Sequence, residues 1–177
     1  MNRESLIAFW LVPAPPEREY FAGIIQRFAL ELNAPDFEPH LTVYATASGS
    51  FDPVRVMQDV SAIPIRLRVA EVAHSDRFTK SLFVNFESDG ALRELCDRFR
   101  VRCGDLQDYV LKPHLSLVYK TLPPEVREEL ARGLDISYAE LNFDVLRMVE
   151  CPPTIKTSAD VAAFRVLASR ALAGRDG

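Results

Sequence analysis

Two stretches of this chain place an imidazole and a hydroxyl at the same spacing. Pro39-His40-Leu41-Thr42 recurs as Pro113-His114-Leu115-Ser116, and each copy sits in a short apolar run with strand character. Side chains alternate faces along a strand, so His40 and Thr42 share one face, as do His114 and Ser116. Histidine is the side chain whose ordinary pKa lets it give or take a proton near neutrality. A hydroxyl can hold an anionic oxygen. Two such pairs facing one another supply an acid, a base and two ligands for phosphate oxygens without a metal. A single His-x-Thr reads as ordinary strand composition. Its repetition, with proline before and leucine after each histidine, singles it out. The third histidine, His74, has no hydroxyl partner at that spacing and reads as structural.

The surrounding elements must bring the two motif strands together. Residues 5 to 12 read as a buried strand stopped by Pro13. Tyr20, Phe21, Ile24, Ile25, Phe28 and Leu32 fall at helical spacing between Pro16 and Asn33. The first motif strand runs near 40 to 45, and Ala47-Ser48-Gly49-Ser50 is a loop. Asp52 before Pro53 is an N-cap with a first-turn proline, opening a short helix to about Ser61. Residues 65 to 73 alternate as a half-exposed strand. The second half repeats this order: a strand from Ser81 to Glu87, a helix from Asp89 to about Arg102, the second motif strand at 114 to 119, and a short helix from Pro123-Pro124 to about Arg132. Strands near 138 to 149 and 160 to 168 close the chain.

This duplicated order predicts an α+β fold. It is bilobal, with a pseudo-twofold axis, antiparallel sheets facing a central groove and helices on the outside. One domain spans 1–177, built of two interleaved lobes at about 5–75 and 80–168. The motif strands then meet at the lobe junction, a favoured place for a ligand cleft.

Bulk properties narrow the function. The chain has 177 residues, 48% hydrophobic and 26% charged, which is ordinary for a soluble globular protein. Its net charge of −4 argues against broad binding to a nucleic-acid backbone, though not against a small positive pocket. Cys96, Cys103 and Cys151 have no metal-type spacing and read as buried thiols in a reducing compartment. Leu6 to Val12 follows Arg3 but lacks a small-residue cleavage site and runs into Pro13, Pro15 and Pro16, so it reads as a strand rather than a secretory leader. No run approaches a membrane span of roughly 20 apolar residues. A cytoplasmic monomer is expected, with no cofactor and no metal.

The paired His-x-Thr/Ser signature resembles that of the two-histidine (2H) phosphoesterase superfamily. The likeness extends to its cyclic phosphodiesterase branch through Phe9-Trp10-Leu11-Val12-Pro13, Phe37-Glu38-Pro39-His40-Leu41-Thr42-Val43 and Pro113-His114-Leu115-Ser116-Leu117-Val118-Tyr119. The resemblance implies metal-independent hydrolysis of a nucleoside 2′,3′-cyclic phosphate or ADP-ribose 1″,2″-cyclic phosphate to a monoester. His40 and His114 would be the acid–base pair, in an order that the sequence leaves open. Thr42 and Ser116 would hold the non-bridging oxygens.

Four further residues are candidates for the groove. Tyr119 lies an odd number of residues past His114, so it reaches the groove only if the strand ends or bulges near Val118. Trp10 would stack a base or line the groove, with core packing as its alternative. Tyr44 shares the face of His40 and Thr42 on an ideal strand. Lys80 would offset phosphate charge. Lys112 and Lys120, which flank the second motif strand, read as solvated. The rival readings are an RNA 2′,3′-cyclic phosphodiesterase or 2′-5′ RNA ligase-type enzyme, and a catalytically silent nucleotide-binding module. RNA is a less favoured partner than a small cyclic phosphate.

Overall fold

Alternation along the first strand sets the two faces of the molecule. In the computed structural model, which describes residues 5–47, 49, 51–60, 62–104 and 109–173, this strand is β1 (Leu6–Pro13). Ile7, Phe9 and Leu11 point into the main apolar core. Ala8 and Trp10 point the opposite way, into a smaller cluster with Val149 and Cys151. The main core lies beneath two helices. In α1 (Glu17–Leu32), Phe21, Ile24, Ile25 and Phe28 form one buried stripe, and Asn33 ends the helix in the left-handed region at φ 49°. In α3 (Gly90–Arg102), Leu92, Leu95, Cys96 and Phe99 do the same, with Phe99 stacked on Phe9 at 4.1 Å between ring centroids. Each such large apolar side chain, fully buried, contributes roughly 1.5–3 kcal/mol.

The remaining elements are β2 (Leu41–Ala47), α2 (Pro53–Asp59), β3 (Ile65–His74), β4 (Leu82–Phe86), β5 (His114–Val118), α4 (Pro124–Gly133), β6 (Glu140–Cys151), α5 (Ser158–Ala162) and β7 (Arg165–Ala171). The N-caps read from the sequence are present. Asp52 accepts from the Val54 and Arg55 amides, and Asp89 accepts from the Leu92 amide. Ser48 and Ser50 of the expected loop, and Ser61 at the expected helix end, lie outside the described residues.

All strand pairings are antiparallel, in the order β1-β2-β5-β4-β3-β6-β7, with β1 also paired to β6. The long β6 serves both halves of the sheet. Its start, Glu140 to Phe143, pairs with β3, and its stretch from Phe143 to Cys151 pairs with β1. The last strand of each pass therefore joins the half opened by the other pass: β3 lies beside β4, and β6 beside β1. This is the α+β, two-halved antiparallel architecture expected from the repeat.

Two local expectations are corrected. Residues 160 to 168 are not one strand. Thr157 and Asp160 form a reciprocal capping box that starts α5, and β7 begins only at Arg165. Lys120 is not solvated. Its ammonium donates to the carbonyls of Leu32 and Asn33, where the C-terminal end of α1 leaves acceptors unpaired and attracts a cation.

Candidate active site

The two motif strands touch at one pair of residues, Leu41 and Leu115, both fully buried. These are the central residues of the two His-Leu-Thr/Ser triplets. Their side chains enter the core, which turns the neighbouring residues of each triplet away from it.

Each strand then bulges at the same distance from its histidine. Against β1, Phe9 pairs with Tyr44 and Trp10 with Thr42, leaving Val43 as the extra residue. Against β4, Leu82 pairs with Val118 and Phe83 with Ser116, leaving Leu117 extra. A bulge shifts the alternation by one residue. Two consecutive side chains in each strand therefore enter the core: Val43 with Tyr44, and Leu117 with Val118. This corrects the assignment of Tyr44 to the groove. It is fully buried in the main core and meets Tyr109 edge-on at 5.1 Å. The same shift turns Tyr119 toward the first motif, where its hydroxyl lies 3.3 Å from His40 Nε2.

Both imidazoles are pinned in the same way. His40 Nδ1 lies 2.7 Å from the Glu38 carbonyl and His114 Nδ1 lies 2.8 Å from the Lys112 carbonyl. A carbonyl oxygen only accepts, so each Nδ1 carries a hydrogen and each Nε2 is the acceptor of the neutral ring. In its neutral form His40 Nε2 is an acceptor, so the Tyr119 hydroxyl donates to it. Burial raises the Tyr119 pKa far above its ordinary value, which keeps that proton in place.

The surroundings of the two rings differ. His40 is 5% exposed and lies flat against Trp10, with centroids 3.6 Å apart and planes 11° from parallel. Burial pushes its pKa down to about 4. The Glu38 carbonyl opposes that shift and the nearby His114 charge adds to it. His114 is half-buried and meets Phe83 edge-on at 5.7 Å. Its pKa is also lowered, first by burial and further by the Lys80 charge, with the Lys112 carbonyl opposing. Trp10 spends its face on His40 and its edge on Phe164 at 5.7 Å, and is itself 5% exposed. It is a wall for the imidazole rather than a platform for a base.

Thr42 pairs with Trp10, and Ser116 with Phe83. Ser116 Oγ donates to the Thr79 carbonyl at 2.8 Å, so binding a phosphate oxygen through its hydrogen requires the hydroxyl to rotate. Lys80 projects over the Phe83 ring, with Nζ 4.3 Å from the centroid, on the His114 side. His74 is exposed at the end of β3.

Several positioning residues were not singled out by the sequence. Glu38, whose carbonyl holds His40, is clamped through its carboxylate by Arg147 at 2.7 Å from both Nε and Nη2. Arg147 is anchored in turn on Ser169 of β7 at 3.1 Å. Phe83 occupies, opposite Ser116, the place Trp10 occupies opposite Thr42. Only register reveals these roles. Among the described residues, no group of three or more His, Cys, Asp or Glu side chains is placed to hold a metal ion. No described helix is long and apolar enough to cross a membrane.

The fold is similar to that of E. coli LigT. Across 97% of this chain and 99% of theirs, E. coli LigT complexed with 3′-AMP superposes with a TM-score of 0.61 at 10% identity, and apo LigT with 0.62 at 13%. TT0787 of Thermus thermophilus gives 0.62 at 13% identity over 96% of this chain and 99% of that one. These similarities establish the fold. A curated relative narrows the likeness further: the cyclic phosphodiesterase of Arabidopsis thaliana is 24% identical over 157 residues, 84% of this chain and 86% of that protein. The resemblance to the 2H phosphoesterases is thereby borne out. No protein-family model matches the chain.

Proposed function

We propose that this protein opens a cyclic phosphodiester to a phosphomonoester, using His40 and His114 as its acid–base pair. The observation that carries the reading is the duplicated imidazole geometry. Each ring is oriented by the carbonyl two residues before it, and each stands two positions before a hydroxyl residue, Thr42 or Ser116. In the reaction one Nε2 takes a proton from water as its oxygen attacks phosphorus. The bond from phosphorus to one ring oxygen breaks, and the other imidazolium protonates that oxygen. Thr42 and Ser116 stabilise the non-bridging oxygens as charge grows on them. Positioned proton transfer of this kind is worth about 10²–10⁴-fold per group.

Both rings are held below their ordinary pKa, so the pair is largely neutral at pH 7 before an anion arrives. The phosphate itself restores the missing charge. A negative group between the rings favours their protonated forms and gives one of them the proton that the leaving oxygen needs.

The plant relative's name supports a cyclic phosphodiester as substrate, and nucleoside 2′,3′-cyclic phosphates and ADP-ribose 1″,2″-cyclic phosphate are the two that the family resemblance implies. A polynucleotide end is less well supported by an acidic chain. A silent binding module has no use for two imidazoles each aimed by a dedicated carbonyl. The test is product analysis with both substrates in the presence of chelator. Conversion to a single monophosphate isomer is expected, and that isomer tells which ring oxygen leaves. Failure to open either ring, at any pH between 5 and 8, overturns the reading.

A further inference from the structure

The sheet face that carries the second motif continues past its histidine as a polar row. Val84 of β4 pairs with Leu115 of β5, and both enter the main core. Their neighbours Phe83, Asn85, His114 and Ser116 therefore stand on the opposite face. On β3, Val72 pairs with Val84 and packs against the same core, which puts Glu71 and Ala73 on the face of Asn85 and Phe83. Two rows cross the three strands. One runs Ser116–Phe83–Ala73 and the other His114–Asn85–Glu71. Asn85 thus stands directly beside the second imidazole, and its Nδ2 donates to the Glu71 carboxylate at 3.3 Å.

The first motif has no counterpart to this row. Trp10 stands opposite Thr42 as Phe83 stands opposite Ser116. Two positions further along β1 comes Val12, paired with Val145 of β6, in the places that Asn85 and Glu71 take on the other side. Val12 is fully buried, whereas Asn85 is half-buried and Glu71 exposed. Among the described residues Glu71 enters no ion pair. The two histidines are held alike, but at these places the His114 side offers hydrogen-bonding groups and the His40 side offers valines.

A carboxylate asks its ligand for donors, and Glu71 keeps acceptor capacity on both oxygens beyond its bond from Asn85. The His114 and Glu71 backbones are two strand spacings apart, roughly 10 Å. A nucleoside laid across β4, with its phosphate at His114 and Ser116, brings the Watson–Crick edge of its base to β3. Guanine presents two adjacent donors on that edge, N1–H and N2–H. Adenine and cytosine set a ring-nitrogen acceptor beside their amino group, and uracil flanks its one donor with carbonyls. We propose that Glu71 and Asn85 are the base-recognition pair of this protein, Glu71 accepting from guanine N1–H and N2–H while Asn85 positions the carboxylate. The inference rests on the phosphoesterase reading of the groove and deepens it by naming guanosine among the nucleoside 2′,3′-cyclic phosphates.

The test is kcat/KM for the 2′,3′-cyclic phosphates of guanosine, adenosine, cytidine and uridine, with calorimetric binding of the 2′- and 3′-phosphates of guanosine and adenosine alongside. The wild type should favour guanosine over each of the others about tenfold, the scale of a bidentate base contact. Glu71→Gln turns one acceptor into a donor that meets the guanine donors head-on, and should bring the ratio close to one. Asn85→Ala frees the carboxylate from its anchor and should lower the ratio. Glu87→Gln removes the same charge from an exposed position two residues past Asn85 and should keep the preference. Equal rates for all four substrates, or a guanosine preference that survives Glu71→Gln, overturn the proposal. A preference lost equally in Glu87→Gln also overturns it, since net charge then accounts for the effect. Turnover without a base preference removes the recognition pair alone. Guanosine-selective binding that Glu71→Gln abolishes, without turnover, upholds the pair and removes the proposed reaction.

Discussion

Leu41 pairs with Leu115 where β2 meets β5, and each is the middle residue of a His-Leu-Thr/Ser triplet. The halves of the sheet are joined at β3–β6 and at this β2–β5 contact, and it is the β2–β5 contact that brings the two histidine motifs together. Truncating either leucine to alanine should cost about 2–5 kcal/mol of stability, as expected for a fully buried side chain. Leu92→Ala, equally buried but on α3, should cost a similar amount. Chemical denaturation and turnover per folded molecule distinguish them. Leu115→Ala should lose at least about tenfold in kcat, the effect of a small misplacement of a catalytic group, and Leu92→Ala should keep it.

The lowered imidazole pKa values have a kinetic consequence. The profile of kcat/KM against pH reports the free enzyme. One ring must be neutral and the other charged, whichever way round the roles run. With His40 near 4 and His114 below 6.5, the bell should peak on the acidic side of 6.5. The kcat profile should lie at higher pH, because the bound phosphate raises both groups. An optimum of kcat/KM above pH 7 would contradict this account.

The same shift links His40 to stability. Its folded pKa is depressed, so the unfolded chain takes up the proton first as pH falls. The full stability is present above about 6.5 and is lost progressively as pH drops toward 4. The loss is about 3 kcal/mol, since protonation is worth about 1.4 kcal/mol per pKa unit. His40→Gln should flatten this part of the stability curve. Trp10→Leu should admit water to the ring and bring the pKa back toward 6.5, a change that proton NMR titration reads directly.

The Arg147–Glu38 pair makes a different prediction. It acts on the loop whose carbonyl orients His40, and it does not itself reach the reacting atoms. Arg147→Met should lower kcat by about 10- to 100-fold, the effect of misplacing a catalytic group by about an ångström. Arg147→Lys should recover part of that loss. Nitrogen NMR should show the His40 ring leaving its single Nδ1–H tautomer in Arg147→Met. A purely structural role would lower stability and leave the tautomer alone.

What the sequence made legible follows from locality. The repeated triplet, the Asp52 and Asp89 caps and the stripe of α1 are readable because the interacting residues lie within a few positions of one another. The bulges at Val43 and Leu117 were not readable. Neither contains glycine, and both lie in apolar runs where a shift of alternation leaves no mark. For that reason strict alternation puts Tyr44 on the wrong face and places Tyr119 only on condition of a bulge. The double pairing of β6 and the reach of Arg147 to Glu38 depend on contacts far apart in the chain. The short helix α5 is a different matter. Thr157-x-x-Asp160 is a local capping signal, obscured by the apolar run Val161-Ala162-Ala163-Phe164 that follows it and reads as strand.

The most direct measurement is single-turnover ring opening of adenosine 2′,3′-cyclic phosphate in chelator by wild type, His40→Ala and His114→Ala. The account predicts hydrolysis by the wild type and a loss of at least about 10²-fold in each variant, with both variants still folded by circular dichroism. Ring opening that persists undiminished in either folded variant would contradict the two-histidine mechanism.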